Sequence, residues 1–138
     1  MSKFYITTPL YYVNDEPHIG HAYTTILADV LSRYHRIQGD DVFFLTGTDE
    51  HGQKVQEAAE KRNVKPFDHV NEYVKRFKDV WKKLNIDYDD FIRTTEKRHT
   101  DRVKEVLNHL KDKGDIYIAE YEGLYSVSEE RFITEKEA

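Results

Sequence analysis

The chain has 138 residues, of which 38% are hydrophobic, 13% aromatic and 34% charged, with a formal net charge of −5 and no cysteine. That length suits one compact core and the apolar fraction can fill it, which excludes a largely disordered chain, a disulfide scaffold and a thiolate metal site. No secretory leader is expected from this sequence, no apolar run approaches the ~20 residues a membrane helix needs, and the acidic balance argues against strong nonspecific binding of a phosphate backbone. A cytoplasmic protein is the expectation.

Phe4, Tyr5, Ile6, Thr7 and Thr8 are aromatic or β-branched and predict a short strand over 3–8. Pro9 and Pro17 bracket a loop. Beyond it Ala22, Tyr23, Ile26, Leu27, Val30, Leu31 and Tyr34 recur at three- and four-residue spacing, predicting a helix over 20–38 that buries this face and ends at Gly39. The run Val42 to Leu45 reads as a fully buried strand of a parallel sheet over 42–46. Helix formers occupy 50–62, and Pro66 suits the first turn of a helix reaching about Leu84. Its stripe Phe67, Val70, Val74, Phe77, Trp81 and Leu84 makes Trp81 a core residue. Phe91 to Arg93 form a third strand. Thr95 can cap a helix that carries Val103, Val106, Leu107 and Leu110 on one face and stops before Gly114. The runs 116–119 and 124–127, joined around Glu122 and Gly123, look like a hairpin. No internal repeat or low-complexity tract is present.

Strand, helix and strand in this order place the first two strands side by side, so the loops after Thr8 and Leu45 share one carboxyl edge, where open α/β sheets bind ligands. The first of these loops ends in His18-Ile19-Gly20-His21. Amides of a helix first turn favour an anionic phosphate, Gly20 lets a ligand approach the backbone, and His18 and His21 can face one side as donors. Two surface histidines at a helix end are the plainer reading. The second loop carries TGTDEHG, Thr46 to Gly52. Asp49 there suits a cationic amino group, or else caps a helix starting near Glu50. His51 lies at the same edge. His35, His69, His99 and His109 are expected at solvated positions, and Glu50-His51 lacks the HExxH spacing of a zinc hydrolase, so no protein metal site is indicated.

HIGH after TTPLYYVND, with TGTDEHG at the end of the next strand, resembles the class I aminoacyl-tRNA synthetases, specifically the methionyl branch. The leucine, isoleucine and valine branches typically follow the second strand with different residues. The resemblance covers nearly the whole chain, including RTTEKRH (Arg93 to His99) and the run Tyr121 to Ala138, which looks like the start of that family's connective insertion. It implies an α/β fold: a Rossmann-like nucleotide-binding half-domain with a three-stranded parallel sheet flanked by helices, spanning 1–114, and a truncated insertion opening with a β-hairpin over 115–138. It further implies that His18, Gly20 and His21 bind ATP, with His18 and His21 catalytic, and that Tyr11 and Asn14 belong to the same nucleotide-binding loop. Pro9, Leu10 and Tyr12 would serve the amino-acid pocket, Asp49 would hold the α-amino group of methionine, and His51 would lie near the adenylate.

The implied reaction is attack of the methionine carboxylate on the α-phosphorus of ATP, accompanied by Mg²⁺, followed by transfer to tRNA(Met). Two family features are missing from the sequence. The lysine-rich KMSKS loop is absent, so half the active site is expected from the remaining half of such an enzyme, as is most of the tRNA grip. Where relatives often carry a cysteine zinc knuckle this chain reads YSVSEE, with Ser126 and Glu129 at the thiolate positions, so no zinc site is expected in this segment. Two other readings remain: a nucleotidyltransferase sharing the HxGH turn, and a noncatalytic half-module that binds nucleotide or amino acid.

Overall fold

A computed structural model describes residues 2–137; Met1 and Ala138, the outermost residues of the two expected domains, lie outside the described residues. The elements are β1 (Lys3–Thr7), β2 (Tyr11–Tyr12), α1 (Ile19–Ile37), β3 (Asp41–Asp49), α2 (Gln53–Lys61), α3 (Pro66–Lys83), β4 (Asp90–Arg93), α4 (Lys97–Lys113), β5 (Leu124–Ser126) and β6 (Arg131–Ile133). The first four strands form one wholly parallel sheet with β3 at its centre. β1 pairs with Asp41 to Leu45, β2 pairs with Thr48 and Asp49, and β4 pairs with Leu45 to Thr48. Because Leu45 is shared by β1 and β4, and Thr48 by β2 and β4, β1 and β2 run end to end along one edge of β3 with β4 on the other. The expected α/β parallel architecture therefore holds, with β2 as a short fourth strand.

The core lies where β2, α2, α3 and β4 meet: Tyr11, Val13, Val55, Val70, Val74, Phe77, Trp81 and Phe91 are all buried. The α3 stripe is buried through its middle, Trp81 included, as its spacing requires. Its ends are open, with Phe67 60% and Leu84 39% exposed. α1 reverses the expectation. Its buried residues are Thr25, Ala28, Asp29 and Ser32, whereas Tyr23, Ile26, Leu27, Val30, Leu31 and Tyr34 are exposed. Specific polar bonds fix that orientation: the Tyr11 hydroxyl bonds Thr25 Oγ1 at 2.8 Å, and Asp29 accepts the Asp87 amide at 2.8 Å. Arg36 also reaches from α1 to Asp89 at 2.8 Å. β3 is likewise less enclosed than expected, for Phe44 is buried but Phe43 is exposed and stacks on exposed Tyr5.

One compact unit ends at Val103 and a second begins at Lys104, inside α4. α4 has no fully buried residue: Val103, Val106 and Leu107 are exposed and Leu110 is partly buried. Thr95 does not cap α4; its hydroxyl donates to the Glu50 carboxylate. In the second unit the hairpin pairs Leu124–Ser126 with Arg131–Ile133, not 116–119 with 124–127. A tight turn closed by the Glu129 amide on Ser126 Oγ and an edge-on Tyr125–Phe132 cross-strand pair favour that register. Among the described residues no helix is long and apolar enough to cross a membrane.

Candidate active site

Three strands, β2, β3 and β4, end at one edge of the sheet, where β2 leads into the loop before His18 and β3 ends at Asp49. Tyr12 is in register with Asp49, one residue beyond the Tyr11–Thr48 pair. The Tyr11 ring packs on the His21 ring, centroids 4.8 Å apart. A cavity of about 410 Å³ opens beside them, lined by Leu10, Tyr11, Tyr12, Asn14, His18 and His21 together with the carboxylates of Asp15 and Glu16. Six of the nine residues singled out from the sequence thus share one cavity wall. Pro9 faces a separate groove with Leu27 and Leu31. Gly20 lies in the first turn of α1 behind the two imidazoles, and Asp49 sits at the end of β3, half-buried.

The two histidines cap the helix they begin. His18 is the N-cap residue; its Nδ1 accepts the Gly20 amide at 3.1 Å, while His21 Nδ1 accepts the His18 amide at 3.1 Å. This is the capping-box exchange with imidazoles in place of the usual hydroxyl and carboxylate. The amides of His18 and Gly20 are therefore already engaged, and the first turn is less open to an anion than expected. Because each Nδ1 accepts, the proton of each neutral ring sits on Nε2. The rings stack at 3.7 Å, which aligns those two donors. Burial, and second the neighbouring His18, hold the His21 pKa below its ordinary value, so the ring stays neutral. A Cβ on Gly20 would meet His18 Cε1 at 2.9 Å, so the space glycine leaves is taken by the capping ring.

Asp49 does not cap α2, whose N-cap is Gly52. Its Oδ1 accepts the His51 amide and the Thr94 hydroxyl, each at 3.3 Å. Next to it, Glu50 has a fully buried side chain that takes Thr48 Oγ1 at 2.8 Å, Arg93 Nε and Nη2 at 2.5 and 2.9 Å, and Thr95 Oγ1. A buried carboxylate is tolerated when paired and fully hydrogen-bonded, as here. Gly47 belongs to the same edge: a Cβ there would lie 2.0 Å from the Ile92 carbonyl oxygen. Sequence reasoning missed Gly47, Glu50, Arg93 and Thr94. The signal available was a glycine inside a strand, which marks close backbone approach.

The loop leading into the imidazoles is strapped to α3. His69, expected at a solvated position, is fully buried; its Nε2 bonds the Val13 carbonyl at 2.8 Å, its Nδ1 faces Arg62 at 3.0 Å, and its ring stacks on Tyr73. Glu16 in the same loop pairs with Arg76. His35 is half-buried, stacked on Phe4 and bonded to Asp40 at 2.8 Å. His99 is partly buried in a groove with Thr8 and Ile92, and only His109 is exposed as expected among these four.

A four-stranded parallel sheet flanked by helices, with an HxGH helix cap after its second strand and an acidic end to its central strand, has the Rossmann-like architecture of the class I synthetases. Residues 4–138 match the family described as tRNA synthetases class I (M), and the chain belongs to that family. It is 56% identical over 133 residues to methionine–tRNA ligase 1 of Bacillus cereus, covering 96% of this chain and 20% of that protein. With methionine–tRNA ligase of Bacillus subtilis the identity is 53% over 134 residues, again 20% of that protein. The solved structure of Mycobacterium tuberculosis methionyl-tRNA synthetase in complex with methionyl-adenylate superposes with a TM-score of 0.93 at 43% identity, over 99% of this chain and 27% of that one. The chain thus spans about a fifth of the length of the curated relatives it matches.

Proposed function

We propose that this segment binds methionine and ATP and, within a complete synthetase, forms methionyl-adenylate for transfer to tRNA(Met). The observation that carries the reading is the pair of stacked imidazoles, both with Nδ1 engaged, at the same sheet edge as Asp49. The methionine carboxylate oxygen attacks the α-phosphorus; the bond to the bridging oxygen of the β-phosphate breaks and pyrophosphate leaves. No protein nucleophile is required, so catalysis consists of alignment and stabilisation of charge building on the phosphoryl oxygens. His18 and His21 supply neutral Nε2–H donors whose direction is set before nucleotide arrives. Asp49 holds the ammonium of the amino acid, Tyr11 and Asn14 shape the nucleotide side, and Leu10 and Tyr12, both partly exposed at the cavity, meet the amino-acid side chain. Pro9 sets the path of the same loop, and His51 lies toward the adenylate.

Mg²⁺ enters with the triphosphate as part of the substrate; no group of three or more His, Cys, Asp or Glu is gathered for a metal among the described residues. Residues 115–138 begin the connective insertion, and the donors of a KMSKS loop come from sequence outside this chain. The test is methionine-dependent exchange of pyrophosphate into ATP by a complete synthetase carrying this segment. His21→Ala is expected to lower the exchange rate about 10²-fold or more, as loss of one transition-state donor does, with the fold intact by circular dichroism. Unchanged exchange would remove the catalytic role. Asp49→Ala should raise the KM for methionine far more than that for ATP; the reverse would overturn its assignment.

The isolated 138-residue chain is expected to bind weakly and exchange little. Its uncovered α1 face and the missing lysine loop favour that reading.

A further inference from the structure

At the junction of β3 and β4 a single buried hydroxyl joins three groups of the candidate site. Thr94, 7% exposed, follows the last residue of β4, and its amide donates to the Thr48 carbonyl at 3.2 Å, continuing the β3–β4 ladder by one step. Its Oγ1 lies 2.9 Å from the Glu50 amide nitrogen, 3.0 Å from His51 Nδ1 and 3.3 Å from Asp49 Oδ1. A hydroxyl has one proton and two lone pairs, so the three bonds can be made together in only one way. Asp49 as a carboxylate only accepts, so it takes the proton. The Glu50 amide only donates, so it takes one lone pair. The second lone pair is left for His51, whose Nδ1 must then carry hydrogen.

We propose that Thr94 is a positioning residue that orients the Asp49 carboxylate for the substrate ammonium and holds the His51 ring with its Nδ1–H toward the Thr94 hydroxyl. The proposal rests on the reading of Asp49 as the amine-binding residue.

The support beneath Thr94 is independent of any ligand. Arg93, the residue before it, is anchored by two bonds to the buried Glu50 carboxylate and a third to Asn71 Oδ1 at 2.7 Å. Thr95, the residue after it, donates to the same carboxylate. With both neighbours tied to Glu50, the backbone at Thr94 has little freedom to move its hydroxyl away from Asp49.

The experiment is pyrophosphate exchange by a complete synthetase carrying this segment, with Thr94→Val, Thr94→Ser and Asp49→Asn made singly, and with Thr94→Val also combined with Asp49→Asn. Thr94→Val keeps the β-branched shape and removes only the hydroxyl. Loss of a hydrogen bond to a charged group corresponds to about a tenfold effect, so the methionine KM should rise about tenfold while the ATP KM and kcat stay near wild type. Thr94→Ser restores the hydroxyl and should return the methionine KM. In the Asp49→Asn background Thr94→Val should add less than twofold, since the two residues act as one unit. A wild-type methionine KM in Thr94→Val, an equal rise in both KM values, or a raised methionine KM in Thr94→Ser would each overturn the positioning role. If the valine variant does not fold, Thr94→Ala removes the same hydroxyl and carries the same expectations, a methionine KM raised about tenfold supporting the positioning role and a wild-type value overturning it. A wild-type protein without methionine-dependent exchange would instead sink the functional reading itself.

Discussion

Helices α1 and α3 carry apolar stripes of similar regularity, yet one stripe is covered and the other is open. In α3 the residues Val70, Val74, Phe77 and Trp81 form the centre of the core. In α1 the residues Tyr23, Ile26, Val30 and Tyr34 are 41–70% exposed and the helix buries Thr25, Ala28 and Ser32 instead. Periodicity identifies an amphipathic helix and divides its faces, but what covers a face depends on elements elsewhere in the chain. In α1 polar bonds engage the buried face, a hydroxyl pair with Tyr11 and a carboxylate on the Asp87 amide, while no described element covers the apolar stripe.

The sharpest test of this contrast is Phe77→Ala. Phe77 is fully buried and packs against Tyr11, His21 and Trp81, so its truncation should cost about 3–5 kcal/mol by urea denaturation. A loss below ~1 kcal/mol would mean that the α3 stripe is no better covered than that of α1. Glu50→Gln extends the comparison to the polar part of the interior. It leaves the Arg93 guanidinium beside a neutral amide, and removing one partner of a buried pair costs about 3 kcal/mol; an unchanged unfolding midpoint would show that the network does not hold the strand ends.

A smaller effect is expected where α1 meets the core at His21. Its folded pKa lies below the ordinary value, so as pH falls through about 6.5 the unfolded chain takes up the proton first and stability is lost; above that value the contribution is fully present. The wild-type urea midpoint should therefore drop more than that of His21→Gln on acidification, and parallel pH curves would contradict this. The least effect belongs to the open stripe: Val30→Lys in this chain should change stability by less than about 0.5 kcal/mol, as surface substitutions do. A loss as large as that of Phe77→Ala would show that α1 is covered after all.

Local sequence was sufficient for the order of the main strands and helices and for the shared edge of HIGH and TGTDEHG, because β-branched runs, helical spacing and proline or glycine punctuation act over a few residues. β2 escaped because two residues after Pro9 carry no period, and only their pairing with Thr48 and Asp49 makes them a strand. His69 was misplaced for a similar reason: its partner, the Val13 carbonyl, is 56 residues away. Glu50, Arg93 and Thr94 gave no hint of convergence, since they meet only once β4 has paired with β3 and their bonds span more than forty residues. The hairpin register depended on an aromatic pair and a serine-closed turn that the more apolar run 116–119 obscured.

Gly47 touches no ligand in the proposed chemistry, yet it sets a dimension of the edge. With Ile92's carbonyl oxygen 2.0 Å from where a methyl would stand, β3 and β4 lie together there without room for a spacer. The gap that Thr94 bridges to reach Asp49 is thus gauged by bare main chain one turn of the pleat earlier. Even the smallest added side chain would wedge the strands apart and pull an amine-holding carboxylate off its mark from a distance.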